Sequence, residues 1–285
     1  MKPRVLVLAA SGTNRDRDAL VACELAGGAP EVVHINQLRS GERHLSHYQM
    51  LLIPGGFSYG DDLGAGRILA TDLLYSLGGK AMDGQGRPPL RLAGGLEDNL
   101  HVFARSGRPI LGICNGFQAL VKAGFLPGPN ESGEAISSGD QRQMATLTTN
   151  ASNRFECRWV YLRPNPDSPC IFTRGLSDLI YCPVAHGEGR FVPKDEAVLQ
   201  AVQARNQVAM IYTDERGEPA EYPYNPNGSI AGIAGVCNSA GNILGLMPHP
   251  EDHVVPEQHP RRTRGEWGHS GLSLFENGIR YASQF

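Results

Sequence analysis

Long apolar runs are missing from this 285-residue chain, and so is any marked excess of one charge. No stretch approaches the roughly 20 apolar residues that a membrane-spanning helix needs, so no membrane partner is expected. With 26 basic and 29 acidic residues the formal net charge is −3, which gives a nucleic acid no basic surface to find. Six cysteines are present without a single Cys-x-x-Cys pair, so reduced thiols are expected rather than a disulfide frame. The chain also lacks a Gly-x-x-x-x-Gly-Lys-[Ser/Thr] loop and a Gly-x-Gly-x-x-Gly turn, the two common phosphate cradles. Residues 5–10, apolar after Lys2 and Arg4, are too few for a signal peptide and read as a first core strand. A cytoplasmic location is expected. No internal repeat is present.

What is there is a repeated alternation of strand and helix patterns before residue 125, then several strands between 144 and 213. Parallel strands are predicted at 4–9, 31–35, 50–53 and 109–113, and helices at 18–26, 63–77, 96–104 and 117–123. An open, mostly parallel α/β sheet flanked by helices follows, as one domain over 1–285. The Gly/Pro-rich stretch near 78–95 reads as an inserted surface loop. Residues 252–285 read as a polar C-terminal extension.

The chemistry concentrates at strand ends. In Gly112-Ile113-Cys114-Asn115-Gly116 an apolar strand stops at a cysteine and a helix begins. A cysteine on such a turn projects its sulfur from the backbone, and the unpaired N–H groups of the next helix favour a thiolate. Flanking glycines permit strained dihedrals and close approach of a substrate. This is the nucleophile elbow with sulfur in place of oxygen. A second strand, 243–247, runs directly into Pro248-His249-Pro250-Glu251. A cysteine nucleophile needs a base, and the base needs an acid to fix its tautomer. His249 and Glu251, two apart, leave an extended backbone on one face, so Cys114, His249 and Glu251 form a candidate triad in chain order. A third strand ends in Pro54-Gly55-Gly56-Phe57. There backbone N–H groups of Gly56 or Phe57, with Asn115, are candidate donors to the oxyanion of an acyl transfer.

These segments resemble class I glutamine amidotransferases of the triad type. More narrowly, they are similar to the glutaminase subunits of phosphoribosylformylglycinamidine synthase. The likeness runs through Gly12-Thr13-Asn14 with Asp16, Gly55-Gly56-Phe57-Ser58-Tyr59-Gly60-Asp61 and Gly112-Ile113-Cys114-Asn115-Gly116-Phe117-Gln118. It continues through Asn150-Ala151-Ser152, Arg154-Phe155-Glu156, Trp159-Val160, Pro183-Val184-Ala185-His186-Gly187-Glu188-Gly189, Asn225-Pro226-Asn227-Gly228-Ser229 and Met247-Pro248-His249-Pro250-Glu251. The resemblance implies a flavodoxin-like sheet and glutamine as substrate, with Gln118 helping to hold it. It also implies ammonia passed to a separate synthetase subunit in purine biosynthesis, with a small third subunit in some complexes. ATP and magnesium are expected on the synthetase, and no cofactor or metal in this chain.

Departures from the family pattern are Arg15, where a cysteine is common, Asp62 and Gly64 after Tyr-Gly-Asp, the 78–95 insertion, and Asp252-His253 after Glu251. Three features are set aside. His249 and His253 have helical zinc spacing, but Pro248 and Pro250 disfavour that helix. His186 reads as structural. Arg261, Arg262 and Arg264 read as a solvated loop or a contact patch. The rival readings are an amidotransferase subunit serving another acceptor, a cysteine hydrolase of the same elbow architecture, and a catalytically silent binding subunit.

Overall fold

The computed structural model describes residues 1–76, 96–128, 143–268 and 270–285. The 78–95 insertion therefore lies outside the described residues. The strand β1 (Arg4–Ala9) is buried over Val5, Leu6, Val7 and Leu8, as a strand covered on both faces must be. It pairs in parallel with β2 (Ala29–His34) on one side and β3 (Met50–Ile53) on the other. Then come β4 (Ile110–Ile113) and β11 (Ile243–Leu246), still parallel, giving the order β2-β1-β3-β4-β11. With β11 as the fifth strand this is the flavodoxin-like order, whose ligands sit beyond the carboxyl ends of the strands.

Beyond β11 the sheet turns antiparallel, through β10 (Ile233–Cys237), β9 (Val208–Thr213), β6 (Glu156–Pro164) and β7 (Ile180–His186). A separate ribbon pairs β5 (Ala145–Thr148) with β8 (Arg190–Pro193). Helices α1 (Asp16–Leu25), α3 (Arg67–Thr71), α4 (Leu96–Arg105) and α5 (Asn115–Lys122) belong to the parallel half, with the short α2 (Ile35–Arg39) after β2 and α6 (Glu196–Ala204) before β9. Among the described residues, no helix is long and apolar enough to cross a membrane.

Two elements differ from the sequence reading. The helix predicted over 63–77 begins only at Arg67, because Tyr59, Gly60, Asp61, Leu63, Gly64 and Gly66 all take positive φ. Such a run of left-handed residues cannot be helical, and it coils into a loop beside α5. The polar extension ends in a helix, α7 (Leu272–Ala282), which buries Leu274, Phe275, Ile279 and Ala282 against α1 and β3. Asn277 ties it down by donating to the Phe172 and Arg174 carbonyls, each at 3.0 Å.

Candidate active site

Cys114 follows β4 directly, and its φ of 49° and ψ of −105° put a non-glycine residue in strained backbone. The strain is held from both sides: the Cys114 N–H donates to the Leu246 carbonyl at 2.8 Å, and its own carbonyl accepts from Gln118 N–H at 3.0 Å. The flanking glycines have a different reason from the one the sequence suggests. Neither has positive φ. A Cβ on Gly116 would stand 2.0 Å from the Ile53 carbonyl oxygen, and one on Gly112 would stand 2.5 Å from a Leu120 methyl. They let α5 lie directly on β3 and β4, and so aim the N-terminus of α5 at the sulfur. The Cys114 thiol is buried and lies 3.9 Å from the Ala185 carbonyl.

His249 arrives from β11, the parallel neighbour of β4. Its N–H donates to the Pro183 carbonyl at 2.8 Å, which docks this turn onto β7. Nδ1 pairs with Glu251 Oε1 at 2.7 Å, both side chains almost wholly buried. Burial alone works against a charged imidazole here. The Glu251 carboxylate and the Cys114 sulfur outweigh it and raise the His249 pKa well above its ordinary range. With Nδ1 committed to Glu251, Nε2 is the ring atom left to face the thiol. It has no other partner among the described residues.

Gly55 sits between the two. A Cβ there would meet His249 Cε1 at 2.7 Å and Cys114 Cβ at 3.4 Å. Gly56 takes φ 139° and bridges to Thr13, while the Phe57 N–H is committed to the Gly12 carbonyl at 3.0 Å. The Asn115 side chain is occupied as well. Its Oδ1 accepts from the Ser58 N–H and hydroxyl, and its Nδ2 donates to Asp61 at 2.9 Å and to Gln118 Oε1 at 3.0 Å. Gln118 in turn donates to the Glu188 carbonyl at 2.6 Å. Of the sequence candidates, Cys114, His249, Glu251, Gly55, Gly56 and Asn115 thus converge. Phe57 is half exposed, its N–H turned to the first loop.

Sequence reasoning placed three further groups in motifs without a role. His186 Nδ1 lies 3.2 Å from Asn150 Oδ1, which also accepts from Gly189 N–H at 2.9 Å. Its Nε2 faces Asn227, which donates to the Tyr212 hydroxyl at 3.1 Å. The Asn-Ala-Ser, His-Gly-Glu-Gly and Asn-Pro-Asn-Gly-Ser segments therefore meet in one buried network behind the cysteine. The structural reading of His186 is the one this geometry favours.

Burial, helped by the charge on His249, pushes His186 down to about 3 from an ordinary 6.5. An unfolded chain takes up a proton there below about pH 6.5 that the fold refuses until about pH 3. The stability of the neutral ring is thus complete above pH 6.5 and falls with pH, by ~1.4 kcal/mol per unit for one proton. His186→Gln is expected to remove that component. Urea unfolding of both proteins at stepped pH compares the slopes between pH 6 and 4, and parallel slopes would contradict the assignment.

The comparisons with known proteins agree on a kinship over the full length. The profile of the CobB/CobQ-like glutamine amidotransferase domain matches residues 2–282. The chain is 45% identical over 288 residues to the phosphoribosylformylglycinamidine synthase subunit PurQ of Treponema denticola, covering 99% of each. To the subunit of the same name from Dehalococcoides mccartyi it is 43% identical, again over 99% of each. A chain in the structure described as PurLQS from Thermotoga maritima superposes with a TM-score of 0.68 at 30% identity, covering 99% of both. The glutaminase domain of Trypanosoma brucei CTPS, at 12% identity and a TM-score of 0.52, covering 99% of this chain and 94% of that one, shares the fold.

Proposed function

This chain belongs to the CobB/CobQ-like glutamine amidotransferases and, within them, to the PurQ subunits of phosphoribosylformylglycinamidine synthase, and on that premise we propose that it hydrolyses glutamine at Cys114. The observation that carries the residue assignment is the meeting of Cys114 with the His249–Glu251 pair at the ends of two adjacent parallel strands. The Cys114 sulfur attacks the side-chain amide carbon of glutamine. The oxygen gathers charge opposite the backbone N–H groups of Gly56 and Asn115, a contact of the kind worth about 3–4 kcal/mol per donor in a transition state. His249 passes a proton to the nitrogen, which leaves as ammonia, and a glutamyl thioester remains. Water, deprotonated by the same ring, releases glutamate. Glu251 holds the tautomer and stabilises the imidazolium. Gln118 would hold the substrate by exchanging the Glu188 carbonyl for a polar group of glutamine.

The ammonia serves a synthetase partner, with ATP and magnesium bound there rather than in this chain. The name PurLQS, which sets Q beside L and S, supports a partner and leaves room for a small third subunit. The Gly55-Gly56 peptide is the natural point of control, because glycine pairs have little preference for one conformation. Losing one aimed donor costs about 10²–10³ in rate, so the isolated chain is expected to be nearly idle and the synthetase to restore that factor. Glutamate release at saturating glutamine, chain alone against the reconstituted complex, is the test. Equal turnover would reject the control, and no release in either would reject the function.

A further inference from the structure

The loop between β1 and α1 touches both halves of the site. Its backbone holds the glycine-pair loop: Phe57 N–H donates to the Gly12 carbonyl at 3.0 Å, Tyr59 N–H to the Ser11 carbonyl at 2.6 Å, and Thr13 bridges Gly56. Its last residue, Arg15, reaches the other half. Arg15 Nη1 lies 3.2 Å from Asp252 Oδ1 and 3.1 Å from Oδ2, and 3.3 Å from Asp18 Oδ2. Asp252 follows Glu251 in the tight turn Pro250–His253, which is closed by Asp252 N–H donating to the His249 carbonyl at 3.2 Å.

We propose that Arg15 is a positioning residue for the His249–Glu251 pair, acting through Asp252: it fixes the turn that carries the pair and neutralises the carboxylate beside Glu251. This rests on the reading of His249 and Glu251 given above. Without Arg15, two adjacent carboxylates would share one imidazolium in a largely buried turn, and like charges so placed do not both stay ionised. Asp252 is already near that limit. Burial first and the Glu251 charge second push its carboxyl up to about 6, while His249 and Arg15 hold it down. The groups facing the turn are Cys114 on β4's end, His186 and the buried Cys182 on β7, and Arg15 and Asp18 from α1 and its preceding loop. Of these, Arg15 is the one fixed cation. Its 34% side-chain exposure screens the pair only partly, and its charge is felt at Asp252 and at Glu251, the partner of His249.

The test is the pH profile of kcat in the complex, with the pH dependence of Cys114 alkylation by iodoacetamide as a readout that needs no glutamine. Removing the cation with Arg15→Gln favours protonated forms, so the acid limb moves up by about one pH unit; kcat on that limb falls about ten-fold and KM for glutamine stays within about two-fold. Removing the anion with Asp252→Asn moves the limb the other way. Arg15→Lys keeps the charge and leaves the limb in place. Opposite shifts from the two ends of one ion pair are the signature that a merely structural contact lacks. Shifts in the same direction, or unmoved profiles with losses that track the melting temperature, would overturn the proposal. If the wild-type complex releases no glutamate, the glutaminase reading fails instead, and the alkylation profiles still decide the role of Arg15.

Discussion

Cys114→Ser is expected to lose glutamine hydrolysis by a factor on the order of 10⁴ or more while keeping the fold. The hydroxyl occupies nearly the volume of the thiol, and the backbone bonds that hold the elbow, to Leu246 and from Gln118, do not involve the side chain. A serine hydroxyl beside His249 must give up its proton in the transition state, whereas a thiol ionises far more readily. The variant complex should still run the synthetase on added ammonium. Glutamate release with and without ammonium-driven synthesis separates the two halves. Wild-type glutamate release from the variant would remove Cys114 from the chemistry.

Gly55→Ala is expected to act almost as strongly, through a single methyl group. The new carbon would stand 2.7 Å from His249 Cε1 and 3.4 Å from Cys114 Cβ, so the imidazole must move. The ring cannot yield freely, because Nδ1 is tied to the buried Glu251 at 2.7 Å and the His249 backbone to Pro183 at 2.8 Å. Misplacing a catalytic group by about 1 Å costs on the order of 10² in rate. The fall should appear in kcat, with the melting temperature changed by only a few degrees. A variant with normal turnover would mean that His249 and Cys114 do not approach each other across Gly55 during catalysis.

The parts of the candidate triad are legible in the sequence because each is local: a cysteine at the end of an apolar strand, and a histidine and glutamate two apart after another. Which strands neighbour each other is not local. The parallel registers of Leu246 with Ile113 and of Ile53 with Gly112 bring the three loops to one level, and only the structure supplies them. The flanking glycines stand where the sequence marks them, but their φ values are ordinary, and the crowding of Gly116 by Ile53 is a contact between distant segments that no local pattern shows. Helix α7 escaped because Gly278 interrupts its apolar face. That glycine is there for close approach, as a Cβ would lie 2.6 Å from the Phe172 ring. The left-handed loop before α3 did carry a signal, Gly60, Gly64 and Gly66, which the apolar pattern after residue 63 overrode. The Arg15–Asp252 pair has no local signature at all; each residue alone is one more charge in a loop.

The central claim is that glutamine passes through a thioester on Cys114, and it is tested most directly by catching that bond. The reconstituted complex is mixed with isotopically labelled glutamine, quenched in acid and digested, and the peptides are weighed. A labelled glutamyl group on the peptide that contains Cys114, absent after treatment with hydroxylamine and absent from Cys114→Ser, is the predicted result. Labelled glutamate released at the full rate with no adduct on Cys114, or with the adduct on another residue, would contradict it.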